Sequence, residues 1–262
     1  MRKVSMLIFL LLIAVAPALA IGEEKAAVRQ SDFSFFIDPV AGPELAEFEL
    51  VLRNNGNEPI SFEFPTSQKY EITVHDEKKE KVYQYSDGKA FAQAFVTLTL
   101  QPQESIKWKE TWGYTTDGTR VKEGDYTVAA KLTAVSLDGK PIPDQTLLSD
   151  TKTMYVPGEN PVFKGVRAEG SKGDYKIIGE ARPINGKFYY TVEDGHNELI
   201  SEAEIAADSK FPQWKPFVIG VSISKENLPQ NGSVILNLYE RSKDGTIIHT
   251  YPVLLERFNN NK

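Results

Sequence analysis

Beyond Gln30 the chain alternates. Phe48, Leu50 and Leu52 are apolar, while Glu47, Glu49 and Arg53 are polar. This period of two predicts a β-strand with one buried side. Asn54-Asn55-Gly56-Asn57 follows and predicts a turn, because asparagine and glycine tolerate positive φ. Ile60, Phe62 and Phe64 resume the inward row until Pro65 breaks it. Tyr70, Ile72 and Val74 form the next row, which puts His75 on the wet face. Val96, Leu98 and Leu100 alternate with threonines. Ile106 and Trp108 alternate with lysines, which reads Trp108 as core, and Tyr126, Val128, Ala130 and Leu132 make a further inward set. Turn signals separate these rows at Asp87-Gly88, Asp117-Gly118 and Asp138-Gly139. No segment sustains a helical period. Many short strands punctuated by glycine and proline predict an all-β sandwich or barrel.

Pro141 to Asp150 is polar and reads either as a long hairpin tip or as the last excursion of the first domain. Pro157-Gly158-Glu159-Asn160-Pro161 resists regular structure and predicts a short, stiff boundary. After it the same pattern returns. Phe188, Tyr190 and Val192 alternate with Lys187, Tyr189 and Thr191. Asp194-Gly195 turns the chain. Ile219, Val221 and Ile223, then Val234, Leu236 and Leu238, then Ile247 to Leu255 complete the second half. The expected organisation is a signal peptide over 1–20, one β-sandwich over 21–157 and a second over 158–262. Tyr126, two residues after Gly124 at the start of a late strand, resembles the tyrosine corner of immunoglobulin-like domains, whose hydroxyl bonds back to the upstream backbone.

Composition narrows the chemistry. The apolar share of 41% and charged share of 25% are ordinary, so a packed core is expected in each half. There is no cysteine, which removes disulfides, thiolate metal sites and a cysteine nucleophile together. Arg2 and Lys3, the apolar run Val4 to Val15 and the small residues Ala18-Leu19-Ala20 read as an export signal cleaved near Ala20. Localisation is therefore expected to be extracytoplasmic, with no membrane span once the signal is removed. Losing Arg2 and Lys3 takes the formal charge from −6 to −8, which argues against nucleic acid and against anionic membrane as partners. His75, His196 and His249 are the only histidines, and each reads as a solvated surface residue. No nucleophile elbow, phosphate-cradling loop, dinucleotide fingerprint or paired-histidine motif occurs. The acidic residues fall on outward strand positions and in turns. No metal or organic cofactor is implied, and an enzyme is not expected.

Four stretches occur in a particular order. They are Phe-Glu-Phe-Pro-Thr-Ser-Gln-Lys-Tyr from Phe62 to Tyr70; Tyr83-Gln-Tyr85 with Asp87-Gly88 and Phe91; Trp108-Lys-Glu-Thr-Trp112; and Gly124-Asp-Tyr126-Thr-Val-Ala-Ala130. Over roughly Phe33 to Val135 the chain thereby resembles the BsuPI family, named for an intracellular proteinase inhibitor. In the second half, Ile178-Gly179-Glu-Ala181, the stretch Trp214 to Phe217 and Tyr239-Glu-Arg-Ser-Lys-Asp-Gly245 resemble the immunoglobulin-like domain of bacterial spore-germination proteins. The usual opening of that family, a Ser-Pro pair followed by a glycine, is missing. Asn160-Pro161 and Gly165 stand in its place.

The resemblance implies two tandem immunoglobulin-like sandwiches that bind a protein partner, a serine protease of the subtilisin type being the best specific expectation. An inhibitor needs a loop held rigidly, so that cleavage gains little. Two loops qualify and the sequence leaves the choice open: Pro65 to Lys69, with Pro65, Thr66, Ser67 and Gln68 as contacts, and Tyr114 to Glu123, which carries Arg120. Trp112 and Tyr114 stand at the mouth of the second loop. They either cover the open end of the sandwich or anchor a partner. Trp214 reads as a structural plug. Two other roles fit the same pattern: a scaffold of the cell envelope or spore, and a cell-wall carbohydrate-binding module, for which Tyr189 is the outward aromatic.

Overall fold

The computed structural model describes residues 32–142, 145–208 and 210–258. The stretch read as an export signal, 1–20, lies outside the described residues. The alternating rows become strands almost one for one. The first half contains β1 (Phe33–Ala41), β2 (Ala46–Asn54), β3 (Ile60–Phe64), β4 (Tyr70–His75), β5 (Lys81–Gln84), β6 (Val96–Leu100), β7 (Ser105–Trp112), β8 (Thr115–Thr116), β9 (Thr119–Arg120), β10 (Gly124–Leu132), β11 (Ser136–Leu137), β12 (Lys140–Pro141) and β13 (Ser149–Val156). A 3-10 turn, Gln145–Leu148, precedes β13.

Hydrogen bonding orders these strands as β13-β10-β4-β5 and, continued through Thr133 N to the Lys69 carbonyl and Val135 N to the Glu63 carbonyl, β12-β11-β3-β6, with β1-β2-β7 facing them. The pairing is antiparallel throughout, with Leu50 opposite Trp108 and Phe62 opposite Leu98. Side chains interdigitate between the layers: Phe33 meets Phe62 edge-on at 5.1 Å, and Tyr70 of β4 meets Trp108 of β7 at 5.3 Å. Phe48, Leu50, Phe62, Phe64, Ile72 and Val128 are fully buried. Each such side chain contributes about 1.5–3 kcal/mol of hydrophobic stabilisation. Asp117-Gly118 and Asp138-Gly139 each place two residues at positive φ, 49° and 75° in one and 51° and 72° in the other. That is the twist a two-residue hairpin needs, and these turns join β8 to β9 and β11 to β12. Tyr126 makes the corner expected of it: its hydroxyl donates to the Lys122 carbonyl at 2.8 Å.

One turn differs from its sequence reading. Asn54 is the last residue of β2, in phase with Leu52, and is fully buried. Its Nδ2 donates to the carbonyls of Glu58, Leu100 and Gln101 at 2.8, 3.2 and 3.0 Å, and its Oδ1 accepts from Gly56 N at 2.8 Å. It therefore ties the β2–β3 turn to the β6–β7 turn from inside.

The second half contains β14 (Phe163–Ser171), β15 (Asp174–Ala181), β16 (Lys187–Glu193), β17 (Glu198–Ala206), β18 (Lys215–Ser222), β19 (Gly232–Arg241) and β20 (Ile247–Phe258). Sheets β14-β15-β18 and β17-β16-β19-β20 face each other. Phe188 bridges them, touching Phe163 at 5.3 Å and Phe217 at 5.1 Å. Lys172 and Gly173 make the β14–β15 turn. Gly173 has φ 98°, and a Cβ there would lie 2.2 Å from the Ile223 carbonyl oxygen, so only glycine fits.

The two halves have separate apolar cores, one running from Phe33 to Val156 and the other from Val162 to Leu255. Polar contacts join them. Gly165 N donates to Glu44 Oε1 at 2.7 Å, and Arg257 lies 3.7 Å from Glu47. Among the described residues no helix is long and apolar enough to cross a membrane.

Candidate functional site

Pro65 ends β3, and the chain enters β4 at Tyr70, so the connection interrupts one layer between two strands that pair in turn with β11 and β10. Its main chain is fastened on two sides. Thr133 Oγ1 donates to the Gln68 carbonyl at 2.6 Å and Thr133 N to the Lys69 carbonyl at 2.9 Å. On the other side Ser67 N donates to the Ala92 carbonyl at 3.0 Å, and Ala92 N donates to Ser67 Oγ at 2.9 Å. Thr66 Oγ1 accepts from Gln68 N at 3.1 Å, and Gln68 Nε2 reaches Glu71 at 3.1 Å. Of the expected contacts Pro65, Thr66, Ser67 and Gln68, only Ser67 is exposed; the others are half-buried.

Lys69 turns inward. Its Nζ has no hydrogen-bond partner among the described residues and stands 4.6 Å above the Phe64 ring. Burial holds this amine below the usual lysine range. Beside it, Tyr70 donates to Glu110 Oε1 at 2.6 Å and packs on Tyr85 at 4.8 Å. Burial first, and the Glu110 carboxylate second, push the Tyr70 phenol far up. Burial with the same carboxylate pushes Tyr83 up to about 12.

The second expected loop is corrected by the structure. Trp112 is 3% exposed and Tyr114 is fully buried, so neither presents a surface anchor. Trp112 Nε1 donates to the Thr115 carbonyl at 3.0 Å, and its ring packs edge-on against Tyr114 at 5.4 Å and Tyr126 at 6.0 Å. The Tyr114 hydroxyl donates to Gly42 O at 2.7 Å. Burial lifts that phenol to about 12, against the opposing pull of the Arg120 charge. Arg120 is drawn inward as well. Its guanidinium lies 5.0 Å from the Tyr114 ring and donates to the carbonyls of Pro43 at 3.3 Å and Pro157 at 3.0 Å. An arginine used up on two backbone carbonyls braces the β1–β2 loop against the linker. What the region exposes is Gly113, Thr115, the tip Asp117-Gly118-Thr119, Lys122 and Glu123.

Sequence reasoning passed over the segment that projects most. Between β5 and β6, every residue from Asp87 to Phe95 is exposed except Phe91, which is half-buried. Phe95 is 70% exposed, the highest value among the large apolar side chains described. Phe91 and Lys89 hold the segment's near end: Phe91 packs on Tyr85 at 6.1 Å, and Lys89 Nζ sits 3.4 Å over the Tyr85 ring and 3.6 Å from Glu110. The legible signal was the length of chain left between the Asp87-Gly88 turn and the Val96 row.

His249 is also not the solvated residue expected. It sits at φ 56° in a bulge of β20, and its Nδ1 is 2.9 Å from Oε2 of Glu240, which is 3% exposed. Glu240 Oε1 accepts from Ile184 N at 2.7 Å, so the pair ties β19 and β20 to the β15–β16 connection. Trp214 lies between two cations, 4.5 Å from Lys164 and 4.3 Å from Arg182. Tyr189 is half-exposed and stacks on the buried Tyr239 at 6.0 Å, while Glu202 takes bonds from Tyr239 and Arg241. No group of three or more metal-ligating side chains gathers among the described residues.

Residues 38–137 match the family described as intracellular proteinase inhibitor, BsuPI, and residues 159–246 match the immunoglobulin-like domain of bacterial spore germination. The two matches follow one another in the order the sequence motifs indicated. No curated protein matches it. Among solved structures it is similar to red sea bream transglutaminase (10% identity, 87% of this chain and 32% of that one, TM-score 0.29). It is also similar to the YadV chaperone (12% identity, 86% and 100%, TM-score 0.23) and to a GH2 β-galacturonidase from Eisenbergiella tayi (12% identity, 81% and 36%, TM-score 0.25). The chain spans about a third of the transglutaminase and of the galacturonidase, and at these scores none of the three likenesses bears on function.

Proposed function

We propose that this is an exported, non-enzymatic binding protein whose first domain inhibits a subtilisin-like serine protease. The observation that carries the reading is the inhibitor-family match over residues 38–137, joined to the β3–β4 and β5–β6 connections, which brace each other through Ser67 and Ala92. A connection fixed in one shape loses little entropy on docking, and its ends do not part when a bond is cut, which slows release of a protease. The second domain, through its match to a germination module, fits a tether that positions the first at the cell envelope.

The test is titration of the purified mature protein against a subtilisin-like protease, with residual activity as readout. Stoichiometric loss of activity is expected. Undiminished activity at a large molar excess overturns the inhibitor reading.

A scaffold role at the envelope or spore is the second reading. Its support is an apolar patch on the second domain, where Ile184 and Phe211 are 50% and 56% exposed and the Phe211 N–H bonds to the Pro183 carbonyl at 3.1 Å. Fractionation of vegetative cells, sporulating cells and medium separates the two roles. Retention with the envelope favours the scaffold; release of all the protein as a free monomer counts against it.

A further inference from the structure

A domain that inhibits a protease must present one segment to the enzyme's cleft. Resting on the inhibitor reading, we propose that this segment is the run Lys89–Phe95, clamped from behind by Ser67. Three observations converge on it.

The first is main-chain availability. Besides the two Ser67–Ala92 bonds, the hydrogen bonds that this segment's backbone makes are Lys89 N to Ser86 O at 3.0 Å and Phe91 O from Gln93 Nε2 at 3.2 Å. Among the described residues, the N–H groups of Ala90, Phe91, Gln93, Ala94 and Phe95 are unpaired. So are the carbonyls of Lys89, Ala90, Gln93, Ala94 and Phe95. A solvent-facing row of unpaired donors and acceptors is a template for pairing with another chain. A cleft that binds peptides as an added strand supplies such a partner.

The second is side-chain fit. Ala90, Ala92 and Ala94 are exposed and small, so a cleft wall can approach the backbone closely. Phe95, 70% exposed, offers one large apolar group for a pocket beside them. Burying such a group is worth about 1.5–3 kcal/mol, or roughly 10- to 100-fold in affinity.

The third is support. Phe91 on Tyr85 and the reciprocal Ser67–Ala92 bonds fix the middle of the segment from the protein side, while Lys89 is held against Glu110. A free segment of this composition would be a substrate. A supported one resists cutting, because the two new ends would stay in place and rejoin. The Pro65–Gln68 connection is then the brace behind the contact segment.

The experiment uses the full mature chain with Ala94→Asp, Phe95→Asp, Ser67→Ala and the exposed hairpin control Asp117→Ser, each checked for wild-type circular dichroism. The readouts are the inhibition constant against a subtilisin-like protease and mass spectrometry of any fragments. Ala94→Asp and Phe95→Asp are expected to raise the inhibition constant tenfold or more, and Asp117→Ser to leave it unchanged. Ser67→Ala is expected to be cut between Lys89 and Phe95 at least tenfold faster than the wild type. If the wild type inhibits and the two aspartate variants inhibit equally well, this assignment is overturned while the inhibitor reading stands. If the wild type does not inhibit at a large molar excess, both are overturned.

Discussion

Replacing Asn54 tests how the first sandwich is closed. The side chain is fully buried and holds four backbone groups: the carbonyls of Glu58, Leu100 and Gln101 and the N–H of Gly56. Asn54→Ala removes all four bonds at once, although the Gln101 carbonyl still accepts from Glu104 N at 3.0 Å. An intramolecular hydrogen bond contributes about 1 kcal/mol net, and a buried group left unsatisfied costs about 1–3 kcal/mol. Water reaching the turns recovers part of this, so the expected loss is about 3 kcal/mol. That lowers the melting temperature of a domain this size by roughly 10 °C.

Asn54→Asp sharpens the test, because it keeps the volume and removes only the donors. An ionised carboxylate facing three carbonyl oxygens is disfavoured in the fold, so its folded pKa lies above the unfolded value of about 3.9. Stability is then fully present below the unfolded pKa and is lost as pH rises through the folded one. The Asp variant should equal or exceed the Ala penalty at neutral pH and recover in acid, whereas the Ala variant should shift little relative to wild type. Urea unfolding followed by fluorescence of Trp108 and Trp112, with an unchanged m-value, reads the difference. An Ala penalty below about 0.5 kcal/mol, or an Asp variant that matches Ala at every pH, refutes the assignment of Asn54 as the tie between the two turns.

Lys69→Met should stabilise the protein by about 1 kcal/mol at neutral pH, since it removes a buried ammonium without a partner and forfeits only its contact with the Phe64 ring. The lysine's folded pKa is lowered, so the gain should shrink as pH climbs toward the unfolded value of about 10.4, as denaturant titrations across pH will show. Arg120→Ala releases the carbonyls of Pro43 and Pro157 and should loosen the second domain from the first; calorimetry is expected to resolve a single transition into two, and an unaltered profile counts against the brace. Tyr83, Tyr114, Tyr175 and Tyr239 have phenols pushed up to about 12, chiefly by burial. Their neutral forms support the fold fully below the unfolded pKa of about 10, and that support is lost as pH rises through the folded values. Stability should therefore fall steeply above pH of about 10, with phenolate absorbance appearing together with unfolding and not before it.

Alternation of apolar and polar residues was enough to read β2, β3, β4, β6, β7, β10, β16, β18, β19 and β20, because on a pleated sheet burial has a period of two and each residue reports its own side. The Asp-Gly pairs read as turns for an equally local reason, the positive φ that those residues tolerate. Tyr126 announced its corner bond through Gly124, two positions away, with its acceptor Lys122 only four positions upstream. All of these are short-range facts.

What the tertiary structure alone decided involves partners far apart in the chain. Arg120 reaches Pro43 and Pro157, Ser67 reaches Ala92, His249 and Glu240 close on Ile184, and Asn54 reaches Leu100. Whether Trp112 and Tyr114 looked outward or inward depended on where the β1–β2 loop placed the Gly42 carbonyl. Exposure of Lys89–Phe95 is likewise set by which neighbours fold over it, a quantity carried by the packed layers and not by any one stretch of residues.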